Sequence, residues 1–268
     1  MNAMDIQQKV PFPLWENEIP LSAGTGEEDT PTMTLFIPPV WKANKKAIII
    51  FPGGGYWHLC DHEGSAFAEF FSQQGFYCFV VKYRLGPKYH HPAEISDAAR
   101  AVRLVRSLAP AFGIRQDCIG VMGSSAGGHL AASVSILPEL GLIASDEKET
   151  GKISSRPDFA VLCYPVISGE KFAHQGSFQK LLGDNPDPEL LKLLSLENSV
   201  NEKTPPIFLQ HRLGDTLVPM ENSIMLAQSL RKHNVPFELH IYEKGYHGGG
   251  LDNHHAWVDE LLRWLSTF

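Results

Sequence analysis

A short stretch near the middle of the chain restricts the fold more than any other part of the sequence. An apolar run at 119–122 leads into Gly123-Ser124-Ser125-Ala126-Gly127, and a helix-like run occupies 126–137. Small residues two positions before and two after Ser125 fit a tight strand-to-helix turn that lifts a serine hydroxyl clear of the sheet edge. The pattern therefore predicts that Ser125 is a nucleophile at the end of a buried strand.

Strand-like and helix-like runs alternate over most of the chain. Strands are predicted at 47–51, 77–81, 119–122, 159–164, 207–211 and 237–242. Helices are predicted at 64–74, from His91-Pro92 through Val105, at 126–137, from Met220 to Leu230, and around Trp257 to Leu265. This alternation predicts an α/β fold, with a mostly parallel central sheet and helices on both faces.

Three segments depart from the alternation. Residues 32–37 end at Pro38-Pro39 and predict an early antiparallel edge strand, and residues 140–156 read as a polar loop. Residues 167–203 carry short helical pieces and many turn signals, so we expect a short cap insertion over the top of the sheet. We expect one domain over 1–268 that includes this insertion.

Composition excludes several classes of protein. The 268 residues carry a net charge of −7 with no basic block, which argues against nucleic-acid binding. No apolar run approaches a membrane span, so no membrane partner is expected. Residues 1–21 lack a signal-peptide pattern, which predicts a cytoplasmic protein, with a processed secreted form as the alternative. The four cysteines form no C-x-x-C pair of the kind that binds zinc, so no metal is expected. No cofactor is expected either, and a homo-oligomer is possible.

A nucleophilic serine needs a base, and the base needs an orienting acid. In folds that carry the nucleophilic serine on such a strand-to-helix turn, called the nucleophile elbow, the acid follows the serine in the chain and precedes the histidine. Asp215 lies just past the strand at 207–211, and its alternative role is a cap or turn aspartate. Asp184 and Asp187 are rivals, but they lie in the insertion. We therefore predict Asp215 as the acid.

The predicted base is His247, which follows the last strand in Gly245-Tyr246-His247-Gly248-Gly249. Glycines on both sides suit a loop that turns a side chain back toward the strand ends. His254 and His255 head the closing helix and are expected in solvent, whereas His240 and His129 are expected to have structural roles.

A glycine run after the first buried strand supplies the other half of the predicted site. Pro52-Gly53-Gly54-Gly55 allows backbone N–H groups to approach a substrate closely, and an acyl-transfer oxyanion needs such donors. We predict the N–H groups of Gly54, Gly55 and Ala126, with Tyr56 as a substitute for one of them. The rival interpretation, a phosphate loop, lacks the Gly-Lys-Ser/Thr that should follow. Tyr56 and Trp57 are predicted to stack on sugar rings, and packing within the loop is the alternative.

With these motifs, the sequence resembles the α/β-hydrolase superfamily. Two departures from its hormone-sensitive-lipase-like esterases are Pro52, where those enzymes carry His, and Ser124, where they usually carry Asp. The chain is more similar to bacterial acetylxylan-esterase-like hydrolases in the following motifs: Pro52-Gly-Gly-Gly-Tyr56, Ser125-Ala-Gly-Gly-His129-Leu130, Arg156-Pro157-Asp158, Tyr164-Pro165-Val166-Ile167-Ser168 and Leu181-Leu182-Gly183. That group deacetylates sugars, and some members cleave feruloyl esters. Several are labelled xylanase, but the sequence holds no carboxylate pair in a glycosidase-like context.

The resemblance and the predicted triad together imply a metal-independent serine carboxylesterase. We expect it to hydrolyse short-chain acyl esters of small molecules or oligosaccharides, with acetylated sugars and xylan fragments as the expected substrates. An arylformamidase or a peptidase using the same triad is the second hypothesis. A non-catalytic binding protein is the third, and the complete set of Ser125, Asp215 and His247 argues against it.

Overall fold

The computed structural model of the chain describes residues 5–141, 153–251 and 256–268. Its eight strands are β1 (Pro11–Pro13), β2 (Thr32–Phe36), β3 (Ala47–Phe51), β4 (Tyr77–Lys82), β5 (Ile119–Ser124), β6 (Phe159–Cys163), β7 (Ile207–Arg212) and β8 (Phe237–Tyr242). They form one sheet in the order β1-β2-β4-β3-β5-β6-β7-β8. The strands from β4 to β8 in this order pair in parallel, while β1 and β2 are antiparallel to their neighbours. The predicted mostly parallel sheet is confirmed.

The described part of the chain forms seven helices. They are α1 (Ser65–Gln73), α2 (Ala93–Phe112), α3 (Ser125–Ile136), α4 (Gln175–Leu182), α5 (Pro188–Leu193), α6 (Glu221–Lys232) and α7 (Ala256–Leu265). One apolar cluster joins a sheet face to α2, α3 and α6, and a second joins the opposite face to α1 and α7. Because strands β3, β5 and β6 are covered on both sides, every one of their residues is buried. The predicted α/β class, with helices on both faces, is confirmed.

The antiparallel strand predicted at 32–37 is confirmed as β2, but its predicted position at the edge of the sheet is wrong. Strand β2 pairs with β4 on one side, but β1 pairs with it on the other, so β1 is the edge. The backbone of Phe12 lies opposite Met33, and Leu14 N–H donates to the carbonyl of Pro31. A three-residue strand that begins and ends with proline gives no alternating pattern, which is why the sequence did not reveal it.

The segment predicted as a cap contains α4, α5 and a 3-10 turn at Leu196–Asn198. It joins the end of β6 to β7. Most of the predicted polar loop at 140–156 lies outside the described residues. Among the residues that are described, no helix is both long and apolar enough to cross a membrane.

Candidate active site

The serine of the elbow occupies the turn between β5 and α3. Ser125 has φ = +52°, a left-handed conformation that is unfavourable for a residue with a side chain. A Cβ atom at Gly123 would overlap the carbonyl of Gly127, and one at Gly127 would overlap the carbonyls of Phe51 and Pro52. Glycine at both positions therefore allows the turn to close against β3. The N–H of Val166 donates to the Ser125 carbonyl at 3.0 Å and ties the turn to the end of β6.

Three side chains from the ends of three strands meet at this turn. The Oγ of Ser125 lies 2.8 Å from His247 Nε2, and His247 Nδ1 lies 2.7 Å from Asp215 Oδ2. The hydrogen positions follow from the acceptors: Nδ1–H donates to the carboxylate, which leaves Nε2 free to accept from the serine hydroxyl. The three predicted catalytic side chains thus form one hydrogen-bonded chain.

The carboxylate of Asp215 is buried and has four N–H groups around it. The N–H groups of Leu217 and Val218 donate to Oδ1 at 3.0 and 2.9 Å, and His247 Nδ1 donates to Oδ2 at 2.7 Å. His211 Nε2 lies 2.9 Å from the carbonyl of Val218 and 3.3 Å from Oδ2, so its N–H is shared between these two acceptors. Burial alone would raise the pKa of this carboxyl, but the hydrogen bonds from His211 and His247 outweigh it and bring the pKa well below its ordinary value. Asp215 is therefore ionised at neutral pH.

The histidine loop is anchored at two positions that closely follow His247 in the chain. His62 Nε2 lies 2.9 Å from the carbonyl of Gly248, and the N–H of Gly250 donates to the hydroxyl of Tyr164 at 3.2 Å. The Tyr164 ring packs edge-on against the imidazole, with 5.0 Å between centroids. These contacts fix the imidazole between Ser125 and Asp215.

The glycine run after β3 passes directly beside the elbow. A Cβ atom at Gly53 would lie 3.1 Å from the Cβ of Ser125. Gly54 and Gly55 both have positive φ, and within the described part of the chain their N–H groups have no acceptor. Ala126 begins the first turn of α3, where backbone N–H groups have no partner inside the helix. The glycine run and the first turn of α3 thus both adjoin the serine, and the assignment of Gly54, Gly55 and Ala126 as oxyanion donors stays a prediction.

The two predicted stacking aromatics differ in exposure. Tyr56 is 1% exposed, and its hydroxyl lies 2.8 Å from His129 Nδ1, so its ring offers no face to a ligand. The prediction that Tyr56 stacks on a substrate is wrong, because the ring turns inward and packs edge-on against Tyr83. Trp57 is 57% exposed, with the ammonium of Lys180 4.3 Å from its ring centroid. A ligand can therefore reach Trp57.

The rival residues lie away from the hydrogen-bonded chain. Asp184 accepts from Gln179 within the cap, and Asp187 caps the first turn of α5. His240 stacks on Phe208, with 4.9 Å between centroids. His129 Nε2 lies 2.9 Å from the carbonyl of Leu194, and burial lowers the pKa of this histidine to about 4. His254 and His255 lie outside the described residues.

Sequence reasoning missed four polar residues near the site. Glu63 accepts from the N–H of Gly53, and His211 supports Asp215. His174 and Ser177 of the cap bond each other at 2.8 Å, and Ser177 Oγ lies 3.9 Å from where a Cβ of Gly55 would be. Of these four residues, only His211 could have been found from the sequence. A histidine inside a buried strand such as β7 needs a polar partner, which points to a role beside Asp215. Among the described residues, no cluster of three or more His, Cys, Asp or Glu side chains is placed to hold a metal.

A serine elbow on the central strand of a sheet with this strand order defines the α/β-hydrolase class. The comparisons agree. Residues 33–230 match the family model described as BD-FAE, and the chain belongs to this family. The crystal structure of an acetyl ester-xyloside bifunctional hydrolase from Caldicellulosiruptor lactoaceticus superposes with a TM-score of 0.88 at 43% identity, covering 98% of this chain and 97% of that one.

Two curated relatives are longer than this chain. An acetylxylan esterase from Xylanibacter ruminicola is 33% identical over 242 residues, covering 88% of this chain and 47% of that protein. An endo-1,4-beta-xylanase B from Butyrivibrio fibrisolvens is 36% identical over 209 residues, covering 76% of this chain and 32% of that protein. The chain thus spans 32% and 47% of the length of these two relatives. The relatives support the prediction of a carboxylic ester hydrolase that resembles acetylxylan esterases.

Proposed function

We propose that this protein is a serine esterase that removes short acyl groups, acetyl above all, from sugars. The observation that carries the proposal is the hydrogen-bonded chain from Ser125 through His247 to Asp215, at 2.8 and 2.7 Å. These distances suit proton transfer from the hydroxyl to the imidazole without rearrangement.

The first half of the reaction acylates the serine. His247 Nε2 takes the proton of Ser125 as Oγ attacks the ester carbonyl, and Asp215 stabilises the imidazolium that forms. The N–H groups of Gly54, Gly55 and Ala126 receive the oxyanion. The imidazolium then protonates the leaving alcohol oxygen as the bond from the carbonyl carbon to that oxygen breaks.

The second half releases the acid. A water molecule replaces the alcohol, His247 takes one of its protons, and the resulting hydroxide attacks the acyl-enzyme carbonyl. Collapse of the second tetrahedral intermediate returns the proton to Ser125 Oγ. The products are the carboxylic acid and the free enzyme, with no other reactant consumed.

The substrate class rests on two kinds of support. Two relatives carry the names acetylxylan esterase and acetyl ester-xyloside hydrolase. In this chain, Trp57 offers an exposed flat ring beside the glycine run, and such a ring suits stacking on a sugar. The cap is too short and too rich in charged residues to form the large apolar lid expected over a lipid-binding site.

Covalent labelling tests the reaction class. A fluorophosphonate probe should label the wild-type protein at Ser125, and Ser125→Ala should abolish both labelling and nearly all hydrolysis. The expected loss in kcat is on the order of a millionfold if the three residues act as a unit. Ser124→Ala is the matched control, because Ser124 is the neighbouring serine. If a folded Ser125→Ala protein keeps a tenth of the activity, the nucleophile is elsewhere.

A substrate panel tests the acyl and alcohol preferences. We expect kcat/KM for p-nitrophenyl esters to be highest with acetate and to decline by octanoate, whereas a lipid pocket would gain about 0.8 kcal/mol per methylene. Trp57→Ala should raise KM for acetylated xylo-oligosaccharides and leave p-nitrophenyl acetate unchanged. Trp41→Ala is the control, because Trp41 is 85% exposed in the loop before the amino end of β3, away from the strand ends that carry the site. A maximum at octanoate or beyond contradicts the sugar-acetate proposal.

A further inference from the structure

Glu63 is a buried glutamate for which the proposed reaction has no direct use. It ends a 3-10 turn, Asp61–Glu63, just before α1, and is 2% exposed. Its Oε2 accepts from the N–H of Gly53 at 2.9 Å, and its Oε1 accepts from the hydroxyl of Tyr164 at 2.8 Å. Both oxygens act as acceptors, as in an ionised carboxylate. Burying a carboxylate is costly, so its placement between these donors requires a reason.

The first link runs to the glycine run. A Cβ atom at Gly53 would overlap Oε2 of Glu63, and it would also lie 2.7 Å from the carbonyl oxygen of Ser124. Gly53 is therefore packed between the carboxylate and the elbow. The bond to Glu63 holds the peptide unit before Gly53, and the N–H of Cys60 holds the unit after it by donating to the Gly53 carbonyl at 3.0 Å. Since that second unit carries the N–H of Gly54, Glu63 contributes one of the two contacts that orient this N–H relative to Ser125.

The second link runs to the histidine loop. The hydroxyl of Tyr164 donates to Glu63 and accepts from the N–H of Gly250, three residues after His247. Tyr164 has φ = +37°, an unfavourable conformation for tyrosine that directs its ring toward the imidazole. One carboxylate thus connects the loops that follow β3, β6 and β8.

We infer that Glu63 is a positioning residue that holds the oxyanion donors and the histidine loop in register with Ser125. The inference rests on the proposed function and adds a residue that never touches the substrate. A carboxylate suits this role because two donors approach its two oxygens from different loops. A glutamine side chain has one acceptor oxygen and so satisfies only one of the two donors in the same way.

The first test separates kcat from KM. Glu63→Gln should lower kcat for p-nitrophenyl acetate about 10- to 100-fold and leave KM within about twofold. Loss of a whole oxyanion donor costs about 100- to 1000-fold, and a misdirected donor costs less. Glu63→Ala should lower kcat further. Glu69→Gln is the matched control, because Glu69 is exposed on α1 and its carboxylate pairs only with Lys9 among the described residues.

The second test measures binding to the tetrahedral state directly. An aryl trifluoromethyl ketone adds to a catalytic serine and places an oxyanion in the hole, so its Ki should rise by the factor by which kcat/KM falls. Tyr164→Phe should lower kcat by less, and the Glu63→Gln/Tyr164→Phe pair should lose less than the product of the two single losses. Each variant is assayed at a temperature at which its fluorescence shows it to be folded.

The outcomes are distinct. A folded Glu63→Gln protein with kcat and Ki within twofold of wild type overturns the positioning role while leaving Ser125 chemistry intact. A fall in kcat with an unchanged Ki also overturns it, since that pattern reports partial unfolding. A wild-type protein that neither hydrolyses esters nor labels at Ser125 overturns the proposed function itself.

Discussion

Replacing Glu94 with glutamine should change how the stability of this protein depends on pH. Glu94 lies in the first turn of α2 and is 0% exposed, and neither carboxyl oxygen has a hydrogen-bond partner among the described residues. Burial, with a smaller contribution from the charge of Asp97, raises the pKa of this carboxyl from 4.5 to about 8. The group is therefore protonated in the folded protein at neutral pH.

The size of the effect follows from this pKa. The unfolded chain releases the proton near pH 4.5, whereas the folded chain keeps it until about pH 8. Between these values the unfolded state binds fewer protons, so the free energy of unfolding falls as the pH rises. At about 1.4 kcal/mol per pH unit, the loss from Glu94 reaches about 3 kcal/mol at pH 7. Glutamine has nearly the same shape and does not ionise, so Glu94→Gln should remove this loss.

Urea unfolding followed by tryptophan fluorescence at pH 5, 6, 7 and 8 measures the difference between the two proteins. We expect the two to be close at pH 5, with the variant more stable by about 3 kcal/mol at pH 7. Glu202→Gln is the control, because Glu202 is exposed, and its stability should follow wild type at every pH. A difference between Glu94→Gln and wild type that is the same at pH 5 and pH 8 refutes the reasoning.

Three further predictions concern the site and its surroundings. Asp215→Asn should lower kcat about 10,000-fold, since an amide favours the wrong tautomer of His247, and steady-state kinetics with p-nitrophenyl acetate will show it. Gly123→Ala should destabilise the protein by about 3 kcal/mol or more in thermal unfolding, since its Cβ would overlap a backbone carbonyl, whereas Gly113→Ala, with open space and φ = +70°, should cost about 1 kcal/mol. Burial lowers the pKa of His129 to about 4, so the unfolded chain gains a proton below about pH 6.5 that the folded chain does not. Stability should therefore fall as the pH drops from 6.5 to 4, and the slope in urea unfolding should be shallower in His129→Gln.

The sequence predicted best where local chemistry decides the structure. The continuous apolar run at 47–51 is typical of a parallel strand covered on both faces, and the predicted bounds of this strand agree with those of β3. The elbow is equally local, because its glycines, its serine and its helix are neighbours in the chain. The choice of Asp215 and His247 needed only the order of elements along the chain.

Contacts between distant segments set the limits of prediction. Glu63 was missed because its partners, Gly53 and Tyr164, lie 10 and 101 positions away in the chain. Tyr56 reads as a loop aromatic, and only the position of His129, 73 residues on, turns it inward. Arg100 of α2 is buried and donates to the carbonyl of Leu14, 86 positions away, a contact that no local pattern predicts.

The segment before β2 has a practical consequence for anyone who shortens this protein. Trp15 donates to Asp97 at 3.2 Å, and the carbonyl of Pro20 accepts from Arg84 at 2.6 Å, so this segment closes over the fully buried Arg84–Asp97 ion pair. The family match begins at residue 33 and ends at 230. A gene trimmed to those limits would encode a chain with that ion pair opened to water, without β8 and without His247. Expression boundaries should therefore be set by this outer segment and by the closing helix α7, which follows His247 and packs in the core, rather than by the limits of sequence similarity.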